Sequence, residues 1–358
     1  MLKRKTLKTL TRLFTRGLGA LLPPPARKRP PKRPVKRLVQ RTATKAVRPA
    51  KATAATRLAK TPSAVAVRAL ERTTAGGRWV TGVALAPSGK RRYRLFLPAD
   101  LATGARIPLV VMLHGCDQNA ARFAASTRMH QVAARAGFAV LYPEQDRLAN
   151  PNGCWNWYET RTGRASAEVG LILQAIEQVC TLYGTDRARV AIAGMSAGAG
   201  MAALVAARYP QRFCAVAMHS GVGPGTADST LGALTAMAGH GSTATPAVDA
   251  ADRDHWPALL VIQGGADHVV APRNGPAAAQ AWAQATGARA MPARQVQRGK
   301  RYPMQVTDYR LGKRTVASLV EIPALGHAWS GGAASQKYGD ARGPDASRLV
   351  WAFAERHF

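Results

Sequence analysis

Gly194-Met195-Ser196-Ala197-Gly198 is the segment of this chain best suited to chemistry. It fits the pattern G-x-S-x-G, in which a serine stands on a tight turn between a strand and a helix. The residues two before and two after it must be small, because the chain passes close to itself there. Alone the pattern is weak, since a glycine-rich turn with an incidental serine has the same composition. Its surroundings strengthen it. Residues 189–193 (RVAIA) read as a strand leading in, and the small-residue run from Ala197 reads as a helix leading out. Ser196 is the expected nucleophile.

A serine hydroxyl is weakly nucleophilic until a base takes its proton, and the base needs an acid to orient it. On a sheet of the kind these segments imply, the partners come in the order serine, acid, histidine, each on a loop after a strand. The strand at residues 259–262 (LLVI) runs into Gln263-Gly264-Gly265-Ala266-Asp267, which makes Asp267 the expected acid. His268 is a poor base because adjacent residues rarely meet in the required geometry, and Asp252 and Asp254 precede the strand instead of following it. The strand at residues 319–322 runs into Gly326-His327, beside the flexible Ser330-Gly331-Gly332, and His327 is the expected base. His130, His219, His240, His255 and His357 have no comparable placement. Catalysis also requires two backbone N–H groups aimed at the developing oxyanion. Ala197, just after the nucleophile, supplies one; Cys116, in the loop His114-Gly115-Cys116-Asp117 after an early strand, is the natural second. His114 reads as structural.

The elements that must carry these residues are legible as alternating types. Residues 78–98 read as a hairpin turning at Pro87-Ser88-Gly89. Short apolar runs at 109–113, 139–142, 190–193, 214–218, 258–262 and 319–322 read as buried strands. Helical segments at 120–136, 166–183 and 197–209 fall between the earlier ones. Buried strands alternating with helices imply an α/β fold, here of the α/β-hydrolase class: a mostly parallel central sheet with helices on both faces, assigned to residues 73–358.

Residues 1–72 differ in kind. Of the 51 Lys and Arg residues, 20 lie in positions 1–70, where there is no Asp or Glu, so this stretch supplies most of the net charge of +32. Residues 23–37 (PPPARKRPPKRPVKR) combine proline with dense positive charge, which resists packing and favours a disordered basic tail. Residues 2–22 space Leu7, Leu10, Leu13 and Phe14 as a short basic amphipathic helix would, able to lie on an anionic surface. Arg12 and Arg16 interrupt what a secretory signal would keep uncharged, although a mitochondrial-type presequence looks similar. No apolar run is long enough for a transmembrane span. The four cysteines, Cys116, Cys154, Cys180 and Cys214, have no CxxC metal spacing. One or two bridges stay open, and Cys180 and Cys214 fall in an expected helix and strand, as core residues.

The blocks PLVVMLHGCDQNA (108–120), LYPEQDRLANPNGCWNWYE (141–159), ARVAIAGMSAGAGM (188–201) and GHAWSGG (326–332) resemble, in order, the poly(3-hydroxybutyrate) depolymerase family of esterases. The resemblance implies hydrolysis of esters of short hydroxyacid polymers, with acetylxylan and feruloyl esterases as relatives. It implies the triad Ser196, Asp267 and His327, no cofactor and no metal. It also suggests that Cys116 and Cys154 lie close together and form a disulfide, which would pin the loop carrying the Cys116 N–H. Independently of the resemblance, Trp155, Trp157 and Trp329 sit near catalytic segments in sequence; Trp155 and Trp329 are expected in the substrate pocket, and Trp157 is balanced between pocket and packing.

The expected function is a serine esterase acting on hydroxyalkanoate polymers or oligomers. Within hydrolases the alternative is a carbohydrate esterase. From a different class, the alternative is a basic granule- or nucleic-acid-binding protein that uses the hydrolase domain as a scaffold. The tail suits an anionic partner: a granule, a membrane or a nucleic acid. Phe14 is its single aromatic residue, which disfavours base stacking. Without a clear cleavable signal the expected location is cytoplasmic or granule-associated, with an extracellular location, as for secreted family members, the alternative.

Overall fold

The computed structural model describes residues 72–74, 76–99, 106–241, 243–248, 253 and 255–358. The basic extension and its amphipathic segment lie outside the described residues, apart from Arg72, which opens the first strand.

The sheet begins with β1 (Arg72–Thr74), β2 (Gly77–Ala86) and β3 (Gly89–Pro98), then β4 (Ile107–Leu113), β5 (Ala139–Pro143), β6 (Thr185–Met195), β7 (Ala215–His219) and β8 (Ala258–Gly264). Three pieces, β9 (Arg289–Ala290), β10 (Arg294–Val296) and β11 (Met304–Leu311), precede β12 (Arg314–Ile322). Their order across the sheet is β1-β2-β3-β5-β4-β6-β7-β8-β12-β11-β10, with β9 on β11. The six strands from β5 to β12 along this order are parallel to their neighbours, and both flanks are antiparallel.

Alternation along the strands explains the layering. Leu109, Val111 and Leu113 point to one face, and Val110 and Met112 to the other. The same two-residue period recurs in Val216 and Met218 against Ala215 and Ala217, and in Leu259 and Val261 against Leu260 and Ile262. Helices cover both faces because both are apolar. Between β4 and β5 come α1 (Ala120–Thr127) and α2 (Met129–Ala136); α3 (Arg164–Leu182) follows β5 and α4 (Ala197–Arg208) follows β6. Further along are α5 (Thr230–Met237), α6 (Asn274–Gln284) and α7 (Ala346–Glu355). Residues of α3, α4 and α6 pack on the Leu109 face; residues of α1, α2 and α7 pack on the Val110 face.

The single helix read over 120–136 is two. Asn119 caps α1 by accepting from Arg122 N at 2.9 Å, and the chain breaks at Arg128, whose φ of 53° is left-handed. Cys180 is buried in α3, but Cys214 stands just before β7 and is half-buried, its thiol 2.9 Å from the Ala188 carbonyl. The antiparallel extension β9–β11 lacks a continuous apolar run: β9 and β10 are two and three residues long, and β11 alternates buried with more exposed residues.

Strand order fixes where a site can form. After β4 the chain goes to β5 on one side, then returns through α3 to β6 on the other. The loops leaving the carboxyl ends of β4 and β6 therefore diverge, and a crevice opens between them. The Gly115–Cys116 loop and Ser196 are the residues at those two ends.

Candidate active site

Ser196 follows β6 directly and is the cap of α4, with φ 56° and ψ −122°. A non-glycine residue rarely adopts a positive φ, and here it is held by its surroundings. The Ser196 N–H donates to the His219 carbonyl at 2.9 Å, and the Ser196 carbonyl accepts from Ala199 and Gly200. The flanking glycines are sterically required. A Cβ at Gly194 would strike the Gly198 carbonyl, and one at Gly198 would strike the carbonyls of Leu113 and His114. The turn thus presents a half-buried hydroxyl at the crevice.

Asp267 and His327 meet although each ends a different strand. His327 Nδ1 donates to Asp267 Oδ2 at 2.8 Å, and Asp267 Oδ1 accepts from the amides of Val269 (2.8 Å) and Val270 (2.9 Å). Burial alone would raise the Asp267 pKa. The hydrogen bond and charge of His327, with the two amides, instead hold it below the usual carboxylate range. Ser196 and His327 line one cavity of ≈ 240 Å³. No hydrogen bond joins them among the described residues.

The loop after β4 is fastened at nearly every polar atom. Gly115 N donates to Gln118 Oε1 at 3.0 Å, Asp117 N to the Asn152 carbonyl at 2.9 Å, and Trp155 Nε1 to the His114 carbonyl at 3.0 Å. The His114 ring Nε2 accepts from Gln145 N at 3.1 Å, so its proton sits on Nδ1 and is donated to the Gly115 carbonyl at 2.8 Å. Burial depresses the His114 pKa to about 4, which keeps that tautomer neutral. Cys116 is bridged to Cys154 by a disulfide. In contrast, two donors beside Ser196, the amides of Cys116 and Ala197, lack a backbone acceptor among the described residues.

Behind this loop lies a buried polar network. The Glu168 carboxylate accepts from Gln145 Nε2 (2.6 Å), Asn156 Nδ2 (2.6 Å) and Asn156 N (3.0 Å), and burial raises its pKa. Arg91 donates to Gln145 Oε1 at 2.5 Å and lies 5.0 Å over the Trp155 ring. These contacts hold the Cys154–Trp157 segment in place.

Trp155 borders the cavity, buried and with its one polar atom satisfied. Trp157 and Tyr158, packed edge to face at 5.5 Å, line it too. Trp329 is not in the pocket, contrary to the expectation from its nearness to His327. It is 1% exposed, stacks on His219 at 4.9 Å, meets Phe123 edge-on at 5.5 Å, and donates from Nε1 to Ser347 Oγ at 3.1 Å. A large ring with its N–H satisfied belongs in the core. The sequence reading also missed Val222, Met237, Val269 and Val270, which make the cavity wall apolar. The two valines were visible just after Asp267; Met237 lies on α5, in a stretch without any motif.

His219, set aside in sequence, has a supporting place. Its Nε2 accepts from Ser330 N at 3.1 Å, which anchors the loop after His327, and its Nδ1–H faces Ser220 Oγ at 3.1 Å. Burial takes its pKa down to about 3.

Comparison with known proteins bears on this arrangement. The family model described as "Esterase PHB depolymerase" matches residues 91–297, more than half of the chain. The chain belongs to the esterase PHB depolymerase family. The match takes in Ser196 and Asp267 and stops short of His327. Poly(3-hydroxyalkanoate) depolymerase C of Paucimonas lemoignei is 35% identical over 179 residues, 48% of this chain and 43% of that protein. Acetylxylan esterase A of Talaromyces purpureogenus is 28% identical over 232 residues, 61% of this chain and 59% of that protein. This chain thus spans about half the length of these relatives. An acetyl xylan esterase from Aspergillus awamori superposes with a TM-score of 0.56 at 19% identity, over 74% of this chain and 94% of that one. At that identity the likeness shows the α/β-hydrolase fold.

Proposed function

We propose that this chain is a serine esterase that hydrolyses hydroxyalkanoate esters, as polymers or oligomers, through an acyl-enzyme on Ser196. The observation that carries the reading is the meeting of three groups at one apolar cavity: Ser196 on its positive-φ turn, His327 backed by buried Asp267, and the amides of Cys116 and Ala197.

Ser196 Oγ attacks the ester carbonyl carbon while His327 Nε2 takes the serine proton. The carbonyl oxygen becomes an oxyanion held by the Cys116 and Ala197 N–H groups, and Asp267 stabilises the imidazolium. The tetrahedral species collapses, the C–O bond to the alcohol breaks, and His327 returns its proton to the leaving oxygen. Water then attacks the acyl-enzyme with His327 again as base, releasing the acid and restoring Ser196.

A second reading, a carbohydrate esterase, is favoured by the relatives that carry that name. A hydrolysis panel of 3-hydroxybutyrate oligomers, acetylated xylan and feruloyl esters separates the two. The proposal expects the oligomers to be turned over fastest. Turnover of xylan or feruloyl esters with the oligomers untouched would replace it.

The basic extension is assigned to an anionic surface on the strength of the 20 Lys and Arg residues in positions 1–70. Deleting residues 1–70 is expected to leave hydrolysis of p-nitrophenyl butyrate intact and to abolish salt-sensitive adsorption to anionic vesicles. Unchanged adsorption would refute that assignment. No helix among the described residues is long and apolar enough to cross a membrane.

A further inference from the structure

The cavity at Ser196 is walled mainly by apolar side chains, yet two oppositely charged groups besides the triad reach it, Asp117 and Lys337. Asp117 belongs to the loop that carries the Cys116 amide, and Lys337 to the segment that follows His327. Lys337 Nζ lies 4.9 Å over the Tyr338 ring and 3.9 Å from Asp117 Oδ2. The lysine side chain is 72% exposed, so the pair leaves most of the ammonium free, with donors to spare.

Its place relative to the reacting groups is constrained. The Tyr338 carbonyl accepts from Trp329 N at 2.8 Å and from Ser126 Oγ at 3.3 Å, which ties this segment to the loop of His327. The Tyr338 ring stands edge-on to the His327 ring at 6.4 Å. The leaving oxygen is the atom that His327 protonates, so the alcohol half of an ester lies beside His327, whose ring neighbour Tyr338 carries the Lys337 ammonium over its face. Tyr338 first, and Asp117 among other neighbours, hold Lys337 charged by raising its pKa. Arg122, whose guanidinium lies 3.5 Å from the Asp117 carbonyl, adds a further positive charge close by.

We propose that Lys337 is a specificity-determining residue that receives a carboxylate on the leaving alcohol. The favoured bond is then one whose alcohol half is a hydroxyacid with a free carboxylate, as at the carboxyl end of a hydroxyalkanoate oligomer. In such an ester the carboxylate carbon is two bonds from the carbon bearing the ester oxygen, close enough to share the His327 side of the cavity. A sugar alcohol carries no charge for Lys337 to meet. Asp117 opposes the same anion and limits the preference. The inference rests on Ser196 being an esterase nucleophile, and it names the alcohol that the esterase selects.

The test compares kcat/KM for 3-(butyryloxy)butyrate and for its methyl ester, in the full chain. In wild type at low salt the free acid is expected to be preferred by about threefold to fivefold, the range of a partly exposed charge pair, and salt should shrink the preference. Lys337→Met should bring the ratio near one, and Lys337→Glu should invert it. Asp117→Asn should increase it; asparagine tolerates the left-handed backbone that Asp117 adopts, with φ 61°. A structural role for Lys337 would change both rates together and leave the ratio alone. If Lys337→Met and Lys337→Glu keep the wild-type ratio, the inference falls and the esterase reading stands. If wild type hydrolyses neither compound, nor p-nitrophenyl butyrate, both fall.

Discussion

His327 Nδ1 and Asp267 Oδ2 are 2.8 Å apart across a sequence separation of 60 residues, and the other carboxylate oxygen is already engaged by the Val269 and Val270 amides. This arrangement dictates what asparagine would do at position 267. Its single carbonyl oxygen would stay with the two amides, which turns the NH₂ toward His327. Nδ1 would then have to accept, the ring proton would move to Nε2, and His327 could no longer take a proton from Ser196. Asp267→Asn is expected to lower kcat by about 10³-fold to 10⁴-fold with the fold intact. A loss below tenfold, with unchanged melting, would remove Asp267 from its proposed role.

The disulfide gives a second expectation. Cys116 carries one of the two proposed oxyanion donors, and its bridge to Cys154 joins two loops 38 residues apart. Intact masses with and without reductant should differ by two hydrogens. Cys154→Ser should destabilise the chain by about 2–4 kcal/mol. It should also slow acylation by about tenfold, less than outright loss of an oxyanion donor. An unchanged kcat would mean that the His114 and Trp155 contacts alone hold the Cys116 amide.

Stability should depend on pH through two buried histidines. The folded pKa values of His114 and His219 are pulled to about 4 and about 3, chiefly by burial. The unfolded chain protonates near about 6.5. Below that value the unfolded state binds more protons, so their contribution to stability is complete above pH about 6.5 and is lost as pH falls toward 4 and 3. Each group accounts for up to about 1.4 kcal/mol per pH unit within that window. Urea unfolding at pH 7, 6 and 5 should show a falling midpoint. A flat profile would contradict the buried neutral state of both rings.

The parts of the site that announce themselves in sequence are those set by local sterics. Gly194 and Gly198 are glycines because the turn at Ser196 passes against neighbouring carbonyls, and Asp267 and His327 each follow an apolar run that could only be a buried strand. Trp329 shows the limit of that reasoning. Two residues from His327 the chain has already turned inward, and the ring stacks on His219 instead of facing the cavity. Met237 reaches the cavity from α5, whose sequence carries no chemical pattern; tertiary packing alone places it there. The break at Arg128 was equally hidden, since a left-handed arginine leaves no compositional trace. The His219–Ser330 contact depends on the register of β7 beside β6, which periodicity does not supply.

The central claim is that Ser196 is the nucleophile, and covalent trapping tests it most directly. Wild-type protein and Ser196→Ala are treated with a fluorophosphonate probe, and the adduct is located by peptide mass spectrometry. Wild type should be labelled at Ser196 with complete loss of ester hydrolysis, and Ser196→Ala should stay unlabelled and inactive. Absence of labelling in folded wild type, or hydrolysis retained by Ser196→Ala, would contradict the account.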